Sequence, residues 1–178
     1  DILRVGVQSI LLVEDSVRYY STYLPELYRM VLRQSSEFLK ETLNEQQRKN
    51  MKRSRPKILL ATNLDDAMAM YEKYKSNLLG VISDVGFCEH RGGKPEEEKL
   101  DAGLNLVRHI KADDPKMPIL LQSSQDSICP VAEELGVGFL RKYSKTLMIQ
   151  LYDYIKEEFA FGDFIFRDAD RVEYGRAA

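Results

Sequence analysis

Five short apolar runs divide the chain at regular intervals. They are Ile10–Val13, Lys57–Ala61, Gly80–Ser83, Pro118–Leu121 and Gly138–Leu140. Each has the length of a β-strand, and near-continuous apolarity is typical of strands that are covered on both faces. Segments with a helical period separate the runs. The order of elements therefore predicts a (βα)5 α/β fold, in which helices cover both faces of a parallel five-stranded sheet.

The first helical segment is longer than a crossover between two strands requires. Apolar residues from Tyr20 to Leu43 keep a spacing near 3.6 residues, which predicts an extended helical insertion over about residues 17–54. Pro25 is expected to kink or split this helix. The outer part of the apolar stripe predicts a docking surface, formed by Val31, Phe38, Leu39 and Leu43. The alternative is that Pro25 folds the helix back over its own domain.

The other predicted helices are shorter and have recognisable ends. One begins after Asn63, one covers Leu104–Ile110, one begins near Pro130, and the last follows Ser144. The polar stretch of about residues 88–100 contains adjacent glycines and three consecutive glutamates, so it predicts an exposed loop.

The length of 178 residues fits one domain with a short extension. We expect the domain to cover residues 1–160, and residues 161–178 to form a linker or the start of a following domain. The chain begins at Asp1 without a methionine. This predicts a piece of a longer protein, with a neighbouring domain attached covalently.

Composition narrows the function classes. An apolar fraction of 44% is sufficient for a core, and a net charge of −2 lacks the basic surface of a nucleic-acid-binding protein. No apolar run approaches the roughly 20 residues of a membrane span. Two cysteines, Cys88 and Cys129, do not form a disulfide framework. We therefore expect a cytoplasmic protein without a membrane or a direct nucleic-acid partner.

Chemically active residues follow four of the five predicted strands. Glu14 and Asp15 follow the first strand, Asp84 the third, Ser123 the fourth and Lys142 the fifth. The carboxyl ends of parallel strands lie at one edge of the sheet, where ligands bind. Three carboxylates in one cleft suit Mg²⁺, because two carboxylates about 4 Å apart repel by ~4 kcal/mol at an effective dielectric near 20.

These strand-end residues resemble the pattern of response-regulator receiver domains of two-component phosphorelay signalling. The resemblance is carried by ILLV before Glu14-Asp15, VIS before Asp84, PILLQ before Ser123 and FLR before Lys142, and it extends over residues 9–160. It implies a flavodoxin-like three-layer sandwich. It also implies a signalling domain, rather than an enzyme, that catalyses only its own phosphorylation and dephosphorylation.

The resemblance implies a role for each acidic residue. Asp84 would be the phosphoacceptor and would form an acyl phosphate as a carboxylate nucleophile. Asp15 would bind Mg²⁺ directly together with Asp84, and Glu14 would bind it mainly through water. The backbone carbonyl of Gly86 would be a further ligand.

The remaining roles concern the phosphoryl group and the response to it. Ser123 would donate a hydrogen bond to the phosphoryl group, and Lys142 would pair with that group as a point charge. Ser123 and Phe139 would form the switch by moving inward together. The resemblance implies a histidine kinase or a histidine phosphotransfer protein as the phosphoryl source, and an output in a neighbouring domain. A homodimer is a further possible assembly.

Three positions depart from the family pattern. Tyr143 and Cys88 stand where receivers usually have proline, and Ser124 stands where they usually have alanine. None of the three substitutions removes a chemical group from the predicted site. The departures leave open an alternative, in which the chain is a pseudo-receiver that serves as an interaction module and is not phosphorylated.

Two further functions remain as weaker alternatives. A phosphatase with an aspartyl nucleophile typically needs a second aspartate two residues after the first, and Gly86 occupies that position. A nucleotide- or flavin-binding domain would need a glycine-rich fingerprint after the first strand, which is not present.

Overall fold

A five-stranded parallel sheet organises the chain, for which the computed structural model describes residues 2–5, 7–41, 55–93, 98–159, 164–167 and 172–177. Its strands are β1 (Ser9–Val13), β2 (Lys57–Ala61), β3 (Leu78–Asp84), β6 (Ile119–Ser123) and β7 (Gly138–Arg141), in the spatial order β2-β1-β3-β6-β7. The five predicted strands are confirmed. The strand order reverses between β1 and β3, and this places the topological switch point beside their carboxyl ends.

One helix precedes the first strand of the sheet, one follows the last, and the others lie between strands along the chain. They are α1 (Ile2–Val5), α2 (Val17–Glu41), α3 (Leu64–Tyr74), α4 (Ala102–Asp113), α5 (Cys129–Glu134) and α6 (Leu147–Glu157), with short 3₁₀ turns at Lys75–Asn77 and Asp126–Ile128. Helix α3 begins as predicted, because the Asn63 side chain accepts a hydrogen bond from the backbone N–H of Asp66 at 2.8 Å. Among the described residues, no helix is both long enough and apolar enough to cross a bilayer.

Alternation along the strands produces two cores, one on each face of the sheet. Leu11, Val81 and Leu121 point to one face and pack with residues of α3, α4 and α5. The neighbouring residues Ile10 and Ile82 point to the other face and pack with residues of α2 and α6. Successive side chains of a strand leave opposite faces, so the apolar runs supply both cores and form the predicted three layers.

Helix α2 is continuous through Pro25, so the predicted split at this proline is wrong, while the predicted kink stays a prediction. A proline inside a helix removes one hydrogen bond and costs ~3 kcal/mol. Packing offsets this cost here, because Tyr23 and Leu27 on either side of Pro25 are buried against the sheet.

The structure describes part of the predicted docking stripe. Val31 is buried. The side chains of Phe38 and Leu39, and the whole of residues 42–54, lie outside the described part of the chain. The docking surface therefore stays a prediction.

Two antiparallel hairpins accompany the main sheet. Strands β4 (Phe87–Cys88) and β5 (Glu98–Lys99) pair within the segment that was predicted to be an exposed loop. Strands β8 (Phe164–Arg167) and β9 (Glu173–Ala177) pair within the predicted linker. The first hairpin lies directly after β3 and shapes one wall of the site described next.

Candidate functional site

Three carboxylates meet at the switch point of the sheet. Glu14 and Asp15 follow β1, Asp84 ends β3, and one oxygen from each lies within 4.8 Å of the other two. Glu14 is almost fully buried, at 2% exposure, and accepts a hydrogen bond from the backbone N–H of Ser16 at 3.2 Å. Asp84 accepts one from the backbone N–H of Val85 at 2.7 Å. The chain thus gathers three acidic groups that would repel one another when ionised.

Burial is the main influence on the titration of Glu14 and Asp15. Burial first, and then the nearby charge of Asp84, raise the pKa of Glu14 to about 7, while Lys142 opposes the shift. Burial also raises the pKa of Asp15, against a hydrogen bond from the backbone of Cys88. These directions show that the negative charges are held at an energetic cost, which a bound cation would relieve.

Lys142 supplies a positive charge inside the cluster. It directly follows β7, and its backbone N–H donates to the carbonyl of Ser123 at 2.8 Å. Its Nζ donates to Glu14 Oε2 at 2.7 Å and also to Asp84 Oδ2. Burial lowers the pKa of Lys142, but attraction to Asp84 and Glu14 outweighs burial, so the pKa is raised and the ammonium stays charged.

A small cavity of about 150 Å³ opens beside Asp84 and Lys142. Gly86 and Ser123 line it, and Ser123 Oγ accepts a hydrogen bond from the backbone N–H of Gln125 at 3.1 Å. The predicted residues Asp84, Gly86, Ser123 and Lys142 therefore share one space, which lies at the carboxyl ends of β3 and β6.

A second cavity, of about 430 Å³, opens beside Asp15. Asp15 lines it together with residues of the β2–α3 connection and of the segment after β4. His90 anchors that segment, because its Nδ1 lies 2.8 Å from Asp65 Oδ2. Asp15 and Asp84 thus face different openings of the same site.

Phe139 belongs to one of the two cores. It is half-buried on β7, pairs in register with Leu121, and packs against the core beneath α3, α4 and α5. The described contacts do not join it to Ser123, so its predicted switching role remains a prediction.

The approach of α4 to the phosphoacceptor segment depends on a glycine. The backbone N–H of Gly103 donates to the carbonyl of Val85 at 2.8 Å. A Cβ at Gly103 would lie 2.1 Å from the carbonyl oxygen of Asp84. Only glycine allows α4 to pack this closely behind Asp84.

Tyr19 was missed by the sequence reasoning, although it contacts a predicted site residue. Lys142 Nζ lies 4.2 Å from the centre of the Tyr19 ring. Tyr19 comes four residues after Asp15, on the first turn of α2. In the sequence, Tyr19 and Tyr23 are one helical turn apart and follow closely after the acidic pair. This spacing could have indicated aromatic side chains beside the site.

The departures from the family pattern have local consequences. Tyr143 has a positive φ of 65°. Cys88 has a backbone N–H that proline lacks, and it helps to hold Asp15. Ser124 is exposed and lines the smaller cavity.

Comparison with solved structures identifies the fold. The chain is similar to a response regulator receiver domain protein from Clostridium thermocellum, with a TM-score of 0.55 and 15% identity over 86% of this chain and 95% of that chain. It is also similar to a response regulator receiver protein from Sinorhizobium medicae, with a TM-score of 0.56 and 16% identity over 88% of this chain and 97% of that chain.

A third similar structure is the receiver domain of a sensor histidine kinase from Pseudomonas aeruginosa, which has a magnesium ion coordinated in its active site cleft. Its TM-score is 0.56, with 17% identity over 86% of this chain and 98% of that chain. No protein-family model and no curated protein sequence matches the chain. The structural matches establish that the chain has the flavodoxin-like fold of response-regulator receiver domains, as the sequence predicted.

The residues present fit Mg²⁺. The cluster offers only oxygen ligands, carries three carboxylates and lies next to open cavities that admit water. Mg²⁺ prefers this kind of site, because it keeps several waters and takes one or two carboxylates.

Proposed function

We propose that the chain is a receiver domain that accepts a phosphoryl group on Asp84 in a Mg²⁺-dependent reaction. The observation that carries this proposal is the meeting of Glu14, Asp15 and Asp84 within 4.8 Å at the switch point, with the Lys142 ammonium bonded to two of them. Charged residues with only a structural role would not need a third carboxylate, one without a bond to Lys142, beside a cavity.

Asp15 and Asp84 would hold the cation directly in this function, with Glu14 acting through water and Gly86 through its backbone carbonyl. Bound Mg²⁺ would neutralise the carboxylates and the oxygens of the incoming phosphoryl group. Glu14 is buried and is not among the residues that line the two cavities, which suits a role through water.

The chain's own groups account for the transfer. One carboxylate oxygen of Asp84 attacks phosphorus, the bond from phosphorus to the donor's leaving group breaks, and the leaving group takes that electron pair. Lys142 then exchanges its contact with Asp84 for one with the phosphoryl oxygens, and the Ser123 hydroxyl donates to a second oxygen. Hydrolysis of the acyl phosphate later restores Asp84.

The wider proposal concerns partners and organisation. A histidine kinase or a histidine phosphotransfer protein would supply the phosphoryl group, and inward movement of Ser123 and Phe139 would carry the signal. Residues 1–160 would form the receiver and residues 161–178 would connect it to an output domain, in a cytoplasmic protein. The similar structures include the receiver domain of a sensor histidine kinase, which supports this class of partner.

The experiment is phosphorylation by acetyl phosphate or phosphoramidate with Mg²⁺, followed by intact-mass measurement. We expect one added phosphate on the wild type, none on Asp84→Asn, and none without Mg²⁺. Asp153→Asn is a matched control, because Asp153 is an exposed aspartate on α6. It should be phosphorylated like the wild type.

Two results would decide against the proposal. Equal labelling of Asp84→Asn would show that another residue is the acceptor. No labelling of the wild type by either donor, or by a panel of kinases, would favour the pseudo-receiver, for which the departures at Tyr143 and Cys88 are the supporting observation.

A further inference from the structure

Lys142 has an aromatic partner in addition to its two carboxylates. Its Nζ lies 4.2 Å from the centre of the Tyr19 ring, well within the ~6 Å at which an ammonium is attracted to a ring face. The Lys142 side chain is only 9% exposed, so water screens this contact weakly. The ammonium thus lies between acidic oxygens and the Tyr19 ring.

The Tyr19 ring is itself held in place by two other tyrosines. It stacks on Tyr23 with the ring centres 4.8 Å apart and 29° between the planes, and the two hydroxyls are 3.5 Å apart. Tyr143 also contacts Tyr19 in an edge-to-face arrangement, with the ring centres 5.7 Å apart and 82° between the planes. Tyr23 is buried in the core beneath α2, which makes it a fixed support.

Tyr143 adopts a backbone conformation that tyrosine rarely takes. Its φ is 65°, in the left-handed region, and its side chain is mostly exposed at 78%. A bulky residue persists in this region only when its surroundings compensate. The ring contact with Tyr19 is a compensating interaction, and Tyr143 directly follows Lys142, so the contact ties the lysine loop to α2.

We propose that Tyr19 is a positioning residue for Lys142 and that Tyr143 completes an aromatic clamp around it. The inference rests on the proposed function, in which Asp84 and Glu14 turn to the phosphoryl group and the cation. Lys142 then loses the two contacts that hold it in the structure described here. The Tyr19 face remains, and it keeps the ammonium aimed at the cavity where the phosphoryl group arrives.

The first test measures the clamp without any phosphoryl chemistry. The ε-methylene proton resonance of Lys142, assigned by its loss in Lys142→Arg, should be shifted upfield by the Tyr19 ring current in metal-free protein. The shift should persist in Tyr19→Phe, which keeps the ring, and disappear in Tyr19→Leu. It should also shrink in Tyr143→Asn, because asparagine tolerates a positive φ but has no ring.

The second test measures the consequence for the site. Beryllofluoride with Mg²⁺ imitates the acyl phosphate, and its affinity can be measured by titration calorimetry. Tyr19→Leu should weaken it by about tenfold, the equivalent of one cation–π contact to a desolvated ammonium, and Tyr19→Phe should restore it. Tyr20→Leu is the matched control, because the next residue of a helix points about 100° away. Its affinity should equal that of the wild type.

The outcomes separate the clamp from the proposed function. An unshifted Lys142 resonance in the wild type, or the same affinity in Tyr19→Leu as in the wild type, would overturn the clamp. Equal loss of affinity in Tyr19→Phe and Tyr19→Leu would overturn it too, because it would assign the effect to the Tyr19 hydroxyl. A wild type that binds no beryllofluoride would contradict the proposed function, and the ring-current shift alone would then decide the clamp.

Discussion

Two clusters in this molecule place one lysine between carboxylates. The inner cluster consists of Glu14, Asp15, Asp84 and Lys142 at the switch point. The outer cluster consists of Glu72, Lys75, His109 and Asp113 on the surface of α3, the 3₁₀ turn that follows it, and α4. Their contacts are similar in length, since Lys142 Nζ lies 2.7 Å from Glu14 Oε2 and Lys75 Nζ lies 2.9 Å from Asp113 Oδ2.

The pKa values of Glu14 and Asp15 in the inner cluster shift in the opposite direction from those of Glu72 and Asp113 in the outer cluster. Hydrogen bonds from Lys75 lower the pKa of Asp113 and of Glu72. Burial raises the pKa of Glu14 and of Asp15, although Lys142 is beside them. The ion-pair geometry alone does not explain this difference. The inner carboxylates are buried or half-buried and three of them share one lysine, which supports the proposed cation site there, whereas the outer charges form a surface ion pair.

Replacing the lysine of the inner cluster should change the free energy of unfolding more than any other substitution in the two clusters. Lys142→Met keeps most of the side-chain volume but leaves the carboxylates without their cation. Breaking a buried ion pair in this way costs about 3 kcal/mol. We expect the free energy of unfolding of Lys142→Met, measured with urea at pH 8 in EDTA, to be lower than that of wild type by this amount. Addition of Mg²⁺ should restore most of the loss. A loss below about 1 kcal/mol in EDTA would show that water already screens the inner cluster.

The sheet and the placement of the carboxylates could be predicted because both follow from local pattern and from one topological rule. A continuous apolar run such as Ile10–Val13 indicates a strand buried on both faces, and residues after parallel strands meet at one edge. The predicted split at Pro25 is wrong because the cost of a helical proline is local, whereas the packing of Tyr23 and Leu27 that offsets it is tertiary.

The finer features of the site depend on contacts that a sequence does not display. Tyr19 meets Lys142 across a separation of more than a hundred residues, and only the path of the lysine loop brings them together. The positive φ of Tyr143 has no propensity signal, since tyrosine is not a residue favoured there. The β4–β5 hairpin consists of two-residue strands in a polar segment, too short for an alternation pattern.

The next largest effect should come from neutralising the most buried carboxylate. The pKa of Glu14 is raised from 4.5 to about 7 in the folded state, so the folded protein holds a proton that the unfolded chain releases more readily. Metal-free wild type should therefore lose stability as pH rises from about 4.5 to 7, and Glu14→Gln should not show this contribution. At pH 8 in EDTA the variant should be more stable by about 2 kcal/mol.

The measurement is the free energy of unfolding of both proteins from pH 4.5 to 8, in EDTA and in Mg²⁺. Exposed Glu134→Gln controls for the general loss of a carboxylate. Parallel pH profiles of wild type and Glu14→Gln in EDTA would contradict the raised pKa.

Neutralising Asp84 should have a smaller effect of the same sign. Asp84→Asn removes repulsion from Glu14 and Asp15 but also removes the ion pair with Lys142, and Asp84 is more exposed than Glu14, at 14%. We expect the free energy of unfolding of Asp84→Asn in EDTA to be about 1 kcal/mol higher than that of wild type, because two repulsions are removed and only one attraction is lost. Mg²⁺ should close the gap, because a ligand at ~100 times its dissociation constant contributes ~2.7 kcal/mol to the form that binds it better. Asp84→Asn less stable than wild type in EDTA would contradict the clustered-carboxylate interpretation.

The smallest effect should come from the outer cluster, which has the same chemistry without burial. Lys75→Met removes the cation between Glu72 and Asp113, just as Lys142→Met does in the inner cluster. Here solvent can hydrate both carboxylates after the substitution, and exposed ion pairs contribute little to stability. We expect the melting temperature of Lys75→Met to be close to that of wild type and not to respond to Mg²⁺. The small difference between the two melting temperatures should decrease further in high salt, because salt screens exposed charges. Differential scanning calorimetry of Lys75→Met and Lys142→Met under identical conditions makes the comparison directly. Equal destabilisation of the two variants would mean that burial does not distinguish the clusters, and the reason for assigning cation binding to the inner one would be lost.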